Sequence, residues 1–124
     1  MAHTALETVL AQVEAYRSQD AAAAEALLDD DLRFTSPQDD HIDKTAFMER
    51  CFPTASRFGR QEIRHAVEIA PGVVLLSYGV AGPDGSAFSN AEITHVRNGR
   101  ITEIRVYFGG PDAFDGDRPV GPSQ

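Results

Sequence analysis

The spacing of apolar residues changes once along the chain, close to residue 60. Up to that point apolar residues recur every three to four positions, which is the period of an amphipathic helix. Beyond it apolar and polar residues alternate, which is the period of a strand with one buried face. A helical first half followed by successive strands is typical of an α+β domain rather than of a doubly wound α/β domain.

Three helices are expected in the first half, each opened by a capping side chain. Thr4 and Glu7 have the spacing of a capping box, in which each side chain bonds to the backbone N–H of the other residue. Asp20 and Asp43 stand at positions where a carboxylate N-cap is favoured. The expected helices span residues 4–18, 21–28 and 44–52.

One short strand is expected among the helices and four longer strands after them. The short strand spans residues 32–36 and ends at Pro37, which has no backbone N–H to donate, and residues 38–42 are expected to form a polar loop. Turn signals rich in Gly, Pro and Asn separate the later strands, and Asn98-Gly99 predicts a type I′ hairpin turn. The later strands are expected at residues 61–70, 73–81, 87–97 and 100–108.

The fold class expected from this order is α+β, with a cone-shaped, curved antiparallel sheet packed against three N-terminal helices. Residues 1–109 are expected to form this one domain, since a chain of 124 residues has the usual size for one hydrophobic core. Residues 110–124 are rich in Gly, Pro and Asp and are expected to be an irregular tail.

Charge and cysteine content narrow the possible partners. The formal net charge is -8 and the basic residues are scattered, which argues against nucleic acid and against membrane surfaces as partners. Cys51 is the single cysteine, so an internal disulfide framework is excluded and a reducing compartment is expected. No apolar run approaches the roughly 20 residues of a membrane span, and the first residues lack the pattern of an export signal. The expected location is therefore the cytoplasm.

Three segments resemble the nuclear transport factor 2-like superfamily, and within it the SnoaL-like branch. They are residues 18–21 (Ser-Gln-Asp-Ala), residues 30–37 on the expected short strand, and the closing hairpin at residues 98–109. The resemblance implies the cone fold. It leaves the activity open, because the superfamily contains isomerases, polyketide cyclases, dehydratases, epoxide hydrolases and binders without activity, and one fold commonly hosts many chemistries.

Ketosteroid isomerase is the member of this superfamily whose mechanism gives the sharpest comparison. It uses a general-base Asp on the first strand, with a protonated Asp and a Tyr as oxyanion hole. Alignment on the shared motifs places Ser36 at the base, Glu92 at the protonated Asp and Gln12 at the Tyr, while Tyr16 lies one helical turn beyond Gln12. Because Ser36 has no useful basicity, isomerisation by that mechanism is not expected.

Polyketide cyclases of the SnoaL type give a second comparison, since they are described as using an acidic residue together with a His. Here His65 is the histidine expected to point inward from a strand, although it matches no family motif. The catalytic candidates are therefore Glu92 and His65.

Strand parity predicts which other side chains would line the cone. If Glu92 faces inward, so does Asn90, and burying both requires hydrogen-bond partners: each other, His65, a ligand or water. The result is a mostly apolar cavity with few polar groups, as in small-molecule sites. The expected ligand-binding residues, besides Ile104 in the wall, are Tyr16, Phe34, Ser36, Tyr78, Asn90, Val106 and Phe108.

The other face of the last strand is expected to form a homodimer interface. It would carry Ile101, Glu103, Arg105 and Tyr107, a mixture of apolar, aromatic and charged side chains that suits contact between subunits. The resemblance implies the same, since strands of this superfamily commonly dimerise through such a face.

Each candidate also has a purely structural explanation. Glu92 is either a buried acid with a raised pKa or a strand Glu that is solvated or paired with an Arg. His65 is either a ligand or catalytic contact or a satisfied core residue. Tyr16 and Tyr78 either donate to a ligand or pack in the core with the hydroxyl at the rim. Ser36 is either a nucleophile or a turn hydroxyl.

The loop before the third helix and the cysteine admit alternatives too. Asp39, Asp40, His41 and Asp43 could ligate a metal, but their spacing matches no defined metal motif and Asp43 is already explained as an N-cap. A lid over the cavity is the preferred interpretation of this loop. Cys51 is either packed or reactive, packing being the default for a cysteine outside a disulfide. Neither a metal nor a cofactor is expected.

Two functional hypotheses follow. In the first, a homodimeric protein binds a small hydrophobic molecule and catalyses cofactor-free proton transfer, such as isomerisation, cyclisation or dehydration, with Glu92 as the acid or base. In the second, the same fold is a ligand-binding or protein-interaction module without catalysis. Asn90, Glu92 and His65 favour the first, and the missing base at Ser36 favours the second.

Overall fold

Three helices pack against one face of a curved six-stranded sheet that does not close on itself. The computed structural model describes residues 4–57 and 60–111. The helices are α1 (Ala5–Ser18), α2 (Ala21–Leu27) and α3 (Lys44–Arg50), and a 3-10 turn (Phe52–Arg57) follows α3. The strands are β1 (Leu28–Ser36), β2 (Asp39–Ile42), β3 (Arg60–Ala70), β4 (Val73–Ala81), β5 (Ala87–Arg97) and β6 (Arg100–Pro111). The predicted α+β class is confirmed.

The three helix starts have the predicted caps. Thr4 and Glu7 form a complete capping box, with the Glu7 backbone N–H donating to Thr4 Oγ1 at 3.1 Å and the Thr4 backbone N–H donating to Glu7 Oε1 at 2.9 Å. Asp20 accepts from the backbone N–H of Ala23, and Asp43 accepts from that of Ala46. Each bond satisfies a backbone donor that the first helical turn leaves unpaired.

The strands follow the order β2-β1-β6-β5-β4-β3, so β2 and β3 are the two edges. Strands β3 to β6 form an antiparallel meander. The expected antiparallel sheet has one exception, since β1 pairs with β6 in parallel, with Phe34 opposite Ile104. Parallel neighbours need a long crossover connection, and the chain between β1 and β6 supplies one.

The start of β1 and the whole of β2 were missed by the sequence patterns. β1 begins at Leu28, four residues before the predicted strand, because Leu28 and Leu32 are both fully buried and anchor the segment between them. Asp29, Asp30 and Asp31 lie between them, and because three adjacent carboxylates are unfavourable at a helix C-terminus, the sequence predicted the end of α2 here rather than a strand. β2 replaces the predicted polar loop, because Phe34 and Ser36 on β1 provide pairing partners for it.

The hairpin of β5 and β6 tests two other predictions, one about its turn and one about the faces of β6. Asn98 and Gly99 both have positive φ, at 55° and 75°, as a type I′ turn requires. Ile101 was expected on the same face as Glu103, but it is 1% exposed and lies in the core. The reason is a bulge: Val96 and His95 are consecutive on β5, yet they pair with Ile101 and Glu103, which are two residues apart.

The sheet continues slightly past the predicted end of the domain. β6 runs to Pro111, two residues beyond the expected boundary at Gly109. The remainder of the predicted tail, residues 112–124, lies outside the described residues. Within the described ranges, none of the helices is both long enough and apolar enough to cross a membrane.

Helical spacing predicts an apolar stripe on α1 at residues 6, 9, 10, 13 and 16, and all of these residues except Leu10, which is 40% exposed, pack in the core. The fully buried positions also include Thr8, Gln12 and Ala15, so α1 presents a polar amide inward beside this stripe. Val9 packs with the buried side chains of β4, which are Val74, Leu76, Tyr78 and Val80.

Candidate functional site

A cavity of about 930 Å³ lies between the concave face of the sheet, α1, α3 and the 3-10 turn. Its walls are mainly aliphatic and aromatic. The exposed residues of its lining, here called the cavity mouth, are Arg17, Gln38, Arg50, Arg60, Phe108 and Gly109. The residues expected in the cavity that do line it are Tyr16, Phe34, Ser36, Tyr78, Asn90, Glu92, Ile104, Val106 and Phe108.

His65 does not line the cavity, and the prediction that it points inward from its strand is wrong. On β4, Tyr78 and Ser77 are consecutive, but they pair with Ile63 and His65, which are two residues apart on β3. The extra residue is a β-bulge that reverses the alternation, so His65 lies on the opposite, convex face. Its Nδ1 is 2.7 Å from Ser77 Oγ, and its side chain is exposed.

Glu92 is the carboxyl most deeply placed in the cavity. It lies on β5 between Leu76 on β4 and Val106 on β6. Burial raises the pKa of Glu92, and a hydrogen bond from the Tyr78 hydroxyl partly opposes this. Among the described residues no Lys, Arg or His lies within ion-pair distance of Glu92. Glu92 therefore keeps its proton to a higher pH than an exposed glutamate does.

Tyr78 is coupled to Glu92 and to Asn90. Burial is the largest cause that raises the pKa of the Tyr78 phenol, and the charge of Glu92 and the hydrogen bond to it raise that pKa further. A hydrogen bond with Asn90 acts in the opposite direction. The phenol therefore stays protonated, and its hydroxyl interacts with both Glu92 and Asn90.

Two side-chain amides of the cavity lining carry buried oxygens without a hydrogen-bond partner among the described residues. They are Gln12 Oε1 on α1 and Asn90 Oδ1 on β5. Gln12 is only 8% exposed, so its amide is as buried as the surrounding apolar core. Leaving such an acceptor unpaired costs about 1–3 kcal/mol, which a hydroxyl or N–H of a bound molecule would offset. Gln12 was named in the sequence only through the family alignment, because helical periodicity does not predict a buried amide.

Tyr16 is tied to the 3-10 turn. Its hydroxyl is 2.7 Å from Thr54 Oγ1, and Thr54 Oγ1 donates its own proton to the Cys51 carbonyl, also at 2.7 Å. Because that hydroxyl has one proton, Tyr16 must be the donor in its bond with Thr54. The Tyr16 ring packs edge-on against Phe52, with ring centroids 6.1 Å apart. The proton of Tyr16 therefore joins α1 to the turn and does not point at a ligand.

Ser36 has the geometry of a turn hydroxyl. It accepts from the backbone N–H of Gln38 and donates to Asp39 Oδ2, both at 3.1 Å. Asp39 itself lines the cavity, so a carboxylate stands beside the position where the family alignment leaves a serine. Sequence reasoning placed Asp39 in a loop over the cavity and did not predict that it lines the cavity, because strand parity makes no prediction for a loop. Arg50 Nη1 lies 4.0 Å from Asp39 Oδ1.

The rest of β2 and the cysteine have structural roles. His41 Nδ1 lies 2.6 Å from Asp40 Oδ1, and His41 Nε2 lies 3.2 Å from Arg105 Nη2. Within residues 4–57 and 60–111, no group of three or more His, Cys, Asp or Glu side chains could hold a metal ion. Burial, and then the charge of Asp39, raise the pKa of Cys51 to about 11, so the thiol stays protonated and the packed alternative is favoured.

The comparisons with known proteins agree with this architecture. The SnoaL-like domain model matches residues 9–104. A protein of Kribbella flavida shares 26% identity, covers 83% of this chain and 84% of its own, and superposes with a TM-score of 0.75. An LEH-like epoxide hydrolase of M. tuberculosis shares 25% identity over 84% of this chain and 81% of its own, with a TM-score of 0.67.

A more distant structure shows the fold alone. It is a Pseudomonas putida protein assigned as a polyketide cyclase, with 18% identity over 86% of this chain and 92% of its own and a TM-score of 0.67. No curated protein matches the sequence. Since the family model spans most of the chain, including the strands that carry Asn90 and Glu92, the chain belongs to the SnoaL-like domain family.

Proposed function

We propose that this protein binds a small hydrophobic molecule in the cavity and that Glu92 takes part in a cofactor-free proton transfer on that molecule. The observation that carries the proposal is a carboxyl with a raised pKa inside an apolar cavity of about 930 Å³. Carboxyls in such surroundings commonly act as general acids, because desolvation favours the protonated form at the pH where the reaction runs.

The chemistry follows from what a protonated carboxyl can do. Glu92 would donate a hydrogen bond to an oxygen of the ligand on which negative charge develops, as when a carbonyl becomes an enolate. The amides of Gln12 and Asn90 would orient the ligand by accepting from its hydroxyl or N–H groups. Isomerisation, cyclisation and dehydration all share such a step.

Asp39 would accept the proton that leaves carbon. Its carboxylate lines the cavity beside Ser36 and is held there by the Ser36 hydroxyl at 3.1 Å. Asp39 comes from one edge strand, whereas Glu92 comes from the middle of the sheet. The proton would move from the ligand carbon to Asp39, while Glu92 stabilises the oxyanion and Asp39 returns the proton to the product.

The test measures proton transfer without assuming a particular product. Hydrophobic ketones, lactones and polyketide fragments are screened for an increase in Tm, and the ketones that bind are incubated with protein in D2O while NMR follows exchange of their α-protons. We expect exchange with the wild type, a large loss in Glu92→Gln and in Asp39→Asn, and no change in Glu14→Gln, whose side chain is exposed on α1. Unchanged exchange in Glu92→Gln would refute the catalytic role.

One observation favours a second candidate, a binding module without catalysis. Both tyrosine hydroxyls of the cavity are engaged by protein groups, since Tyr16 donates to Thr54 and Tyr78 interacts with Glu92 and Asn90. This candidate predicts ligands that raise Tm but undergo no exchange with any variant. The same screen separates the two functions.

The proposal includes a cytoplasmic homodimer. On the convex face, Val67, Leu75 and Ile93 are register neighbours, and Val67 and Tyr107 are each 50% exposed, a hydrophobic area that contact with a second copy would cover. A reducing compartment suits Cys51, which forms no disulfide. Sedimentation should give a dimer for the wild type and a monomer for Val67→Glu. Leu10→Glu, at another exposed apolar position, should stay dimeric.

A further inference from the structure

The cavity mouth is basic although the chain is acidic. Arg17 at the end of α1, Arg50 at the end of α3 and Arg60 at the start of β3 all line it, whereas the net charge of the chain is -8. Asp39 is the carboxylate of the lining that faces this group, and Glu92 lies deeper in the cavity and favours its neutral form. An anion approaching the cavity therefore meets positive charge.

Arg50 and Arg60 each have a carboxylate nearby. Arg50 Nη1 is 4.0 Å from Asp39 Oδ1, and Arg60 Nη2 is 3.4 Å from Glu62 Oε2. Arg17 differs, because among the described residues no carboxylate lies within ion-pair distance of its guanidinium. The charge of Arg17 is thus the one that the described part of the protein leaves unbalanced at the mouth.

The Arg17 side chain is nevertheless held in place. Its Nε donates to Gln61 Oε1 at 3.1 Å, and its Nη2 donates to the Gln61 carbonyl at 3.0 Å. A guanidinium has five N–H donors in one plane, so these two bonds orient the group and leave three donors for another acceptor. A planar, oriented guanidinium matches the geometry of a carboxylate, which it binds through two parallel hydrogen bonds.

We propose that Arg17 binds the carboxylate of an amphiphilic ligand whose apolar body fills the cavity. The ligand class is therefore a hydrophobic carboxylic acid, with its charged group at the mouth beside Gln61 and its body against the aromatic and aliphatic walls. This inference rests on the proposed binding function, and it adds the charge and the orientation of the ligand.

The test compares each acid with its own uncharged ester. The probes are dansylaminoundecanoate and pyrenebutanoate, one with an aliphatic and one with an aromatic body, and the methyl ester of each, with affinity measured by fluorescence titration. We expect each acid to bind roughly tenfold more tightly than its ester, the usual effect of one charge-assisted bidentate contact. Raising the salt concentration should shrink this preference, since the guanidinium is at the surface.

Two variants separate Arg17 from the general charge of the protein. Arg17→Gln should lose the preference for acids while binding the esters as the wild type does. Arg97→Gln makes the same charge change at the far end of β5, nine residues from Phe88, or about 30 Å along the strand, and it should keep the preference. A preference for acids that survives in Arg17→Gln would overturn the inference.

The remaining outcomes distinguish this inference from the proposed function. If acids and esters bind equally well to the wild type, the carboxylate site is refuted and the hydrophobic binding function stands. If neither the aliphatic nor the aromatic probe binds, as acid or as ester, the proposed binding function is refuted and the carboxylate site is refuted with it.

Discussion

Tyr78 on β4 and Glu92 on β5 both line the concave face of the sheet, and a hydrogen bond with the Tyr78 hydroxyl lowers the pKa of the Glu92 carboxyl. The two residues belong to neighbouring strands, where Tyr78 pairs with Asn90 and Glu92 pairs with Leu76. The bond stabilises the carboxylate, whereas burial destabilises it, and burial has the larger effect. The ionisation of Glu92 is therefore set by two opposing influences that substitutions can separate.

Glu92→Gln should raise Tm, and the increase should grow with pH. The folded protein favours protonated Glu92, while the unfolded chain ionises near the ordinary value of 4.5. Wild-type stability therefore falls as pH rises above that value and levels off above the raised pKa of the folded state. Each unit by which the pKa is raised corresponds to about 1.4 kcal/mol, or roughly 3–6 °C in Tm.

Thermal unfolding of both proteins between about pH 4 and about pH 8 tests this expectation. Glu14→Gln, on the exposed side of α1, serves as the control and should follow the wild type. A difference in Tm between Glu92→Gln and the wild type that does not change with pH would show that Glu92 titrates normally.

Tyr78→Phe should raise the pKa of Glu92 further. The substitution removes the hydrogen bond that lowers this pKa and leaves the aromatic ring in the cavity wall. The expected increase is about one pKa unit, the size of a hydrogen bond worth about 1.4 kcal/mol. NMR titration of the Glu92 side-chain carboxyl measures it. Tyr16→Phe is the matched control and should leave the pKa of Glu92 unchanged, because the Tyr16 hydroxyl bonds to Thr54.

Thr54→Val should destabilise the protein by about 1 kcal/mol, because it removes the hydroxyl that accepts from Tyr16 and donates to the Cys51 carbonyl, which keeps the bond from the Thr54 backbone N–H. Tyr16→Phe removes one end of the same chain of hydrogen bonds. If the chain joins α1 to the 3-10 turn, the double variant should be less destabilised than the sum of the two, by about 1 kcal/mol. Urea unfolding measures all three free energies, and strict additivity would show that the two hydroxyls act independently.

Gly72→Ala should be more destabilising than Gly99→Ala. Both glycines have positive φ, at 74° and 75°, so alanine is strained at either site by about 1–2 kcal/mol. At Gly72 a Cβ would also lie 2.8 Å from the Val96 carbonyl oxygen, whereas at Gly99 it would meet nothing within 4 Å. We expect an additional loss of at least about 1 kcal/mol at Gly72. Equal free energies of unfolding for the two variants would contradict the close approach.

The parts of the fold that the sequence predicts are those with local signals. Thr4, Asp20 and Asp43 cap helices through neighbouring backbone groups, and Asn98-Gly99 adopts its turn through its own backbone angles. By contrast, β2 exists only because β1 offers it a partner, and such pairing leaves no local pattern. Nor does sequence spacing reveal that β1 and β6 run in parallel.

The same difference between local signals and long-range pairing decides which residues of the cavity lining the sequence predicts. Period-two alternation along β5 correctly brings Asn90 and Glu92 to the cavity lining, because their strand has no irregularity between them. It fails for His65, where a bulge changes the parity, and it is silent on Asp39. Helical periodicity does not point to Gln12, because a polar residue on a helix is normally assigned to the solvent face, and only the family alignment named it.

The bulge at Arg64 lets β3 change its length by one residue without exchanging its two faces. Arg64 is the extra residue between Ile63 and His65, so its deletion would leave Ile63 opposite Tyr78 on the concave face and His65 opposite Ser77 on the convex face. The edge strand can therefore vary in length at this point while the cavity wall keeps the same side chains.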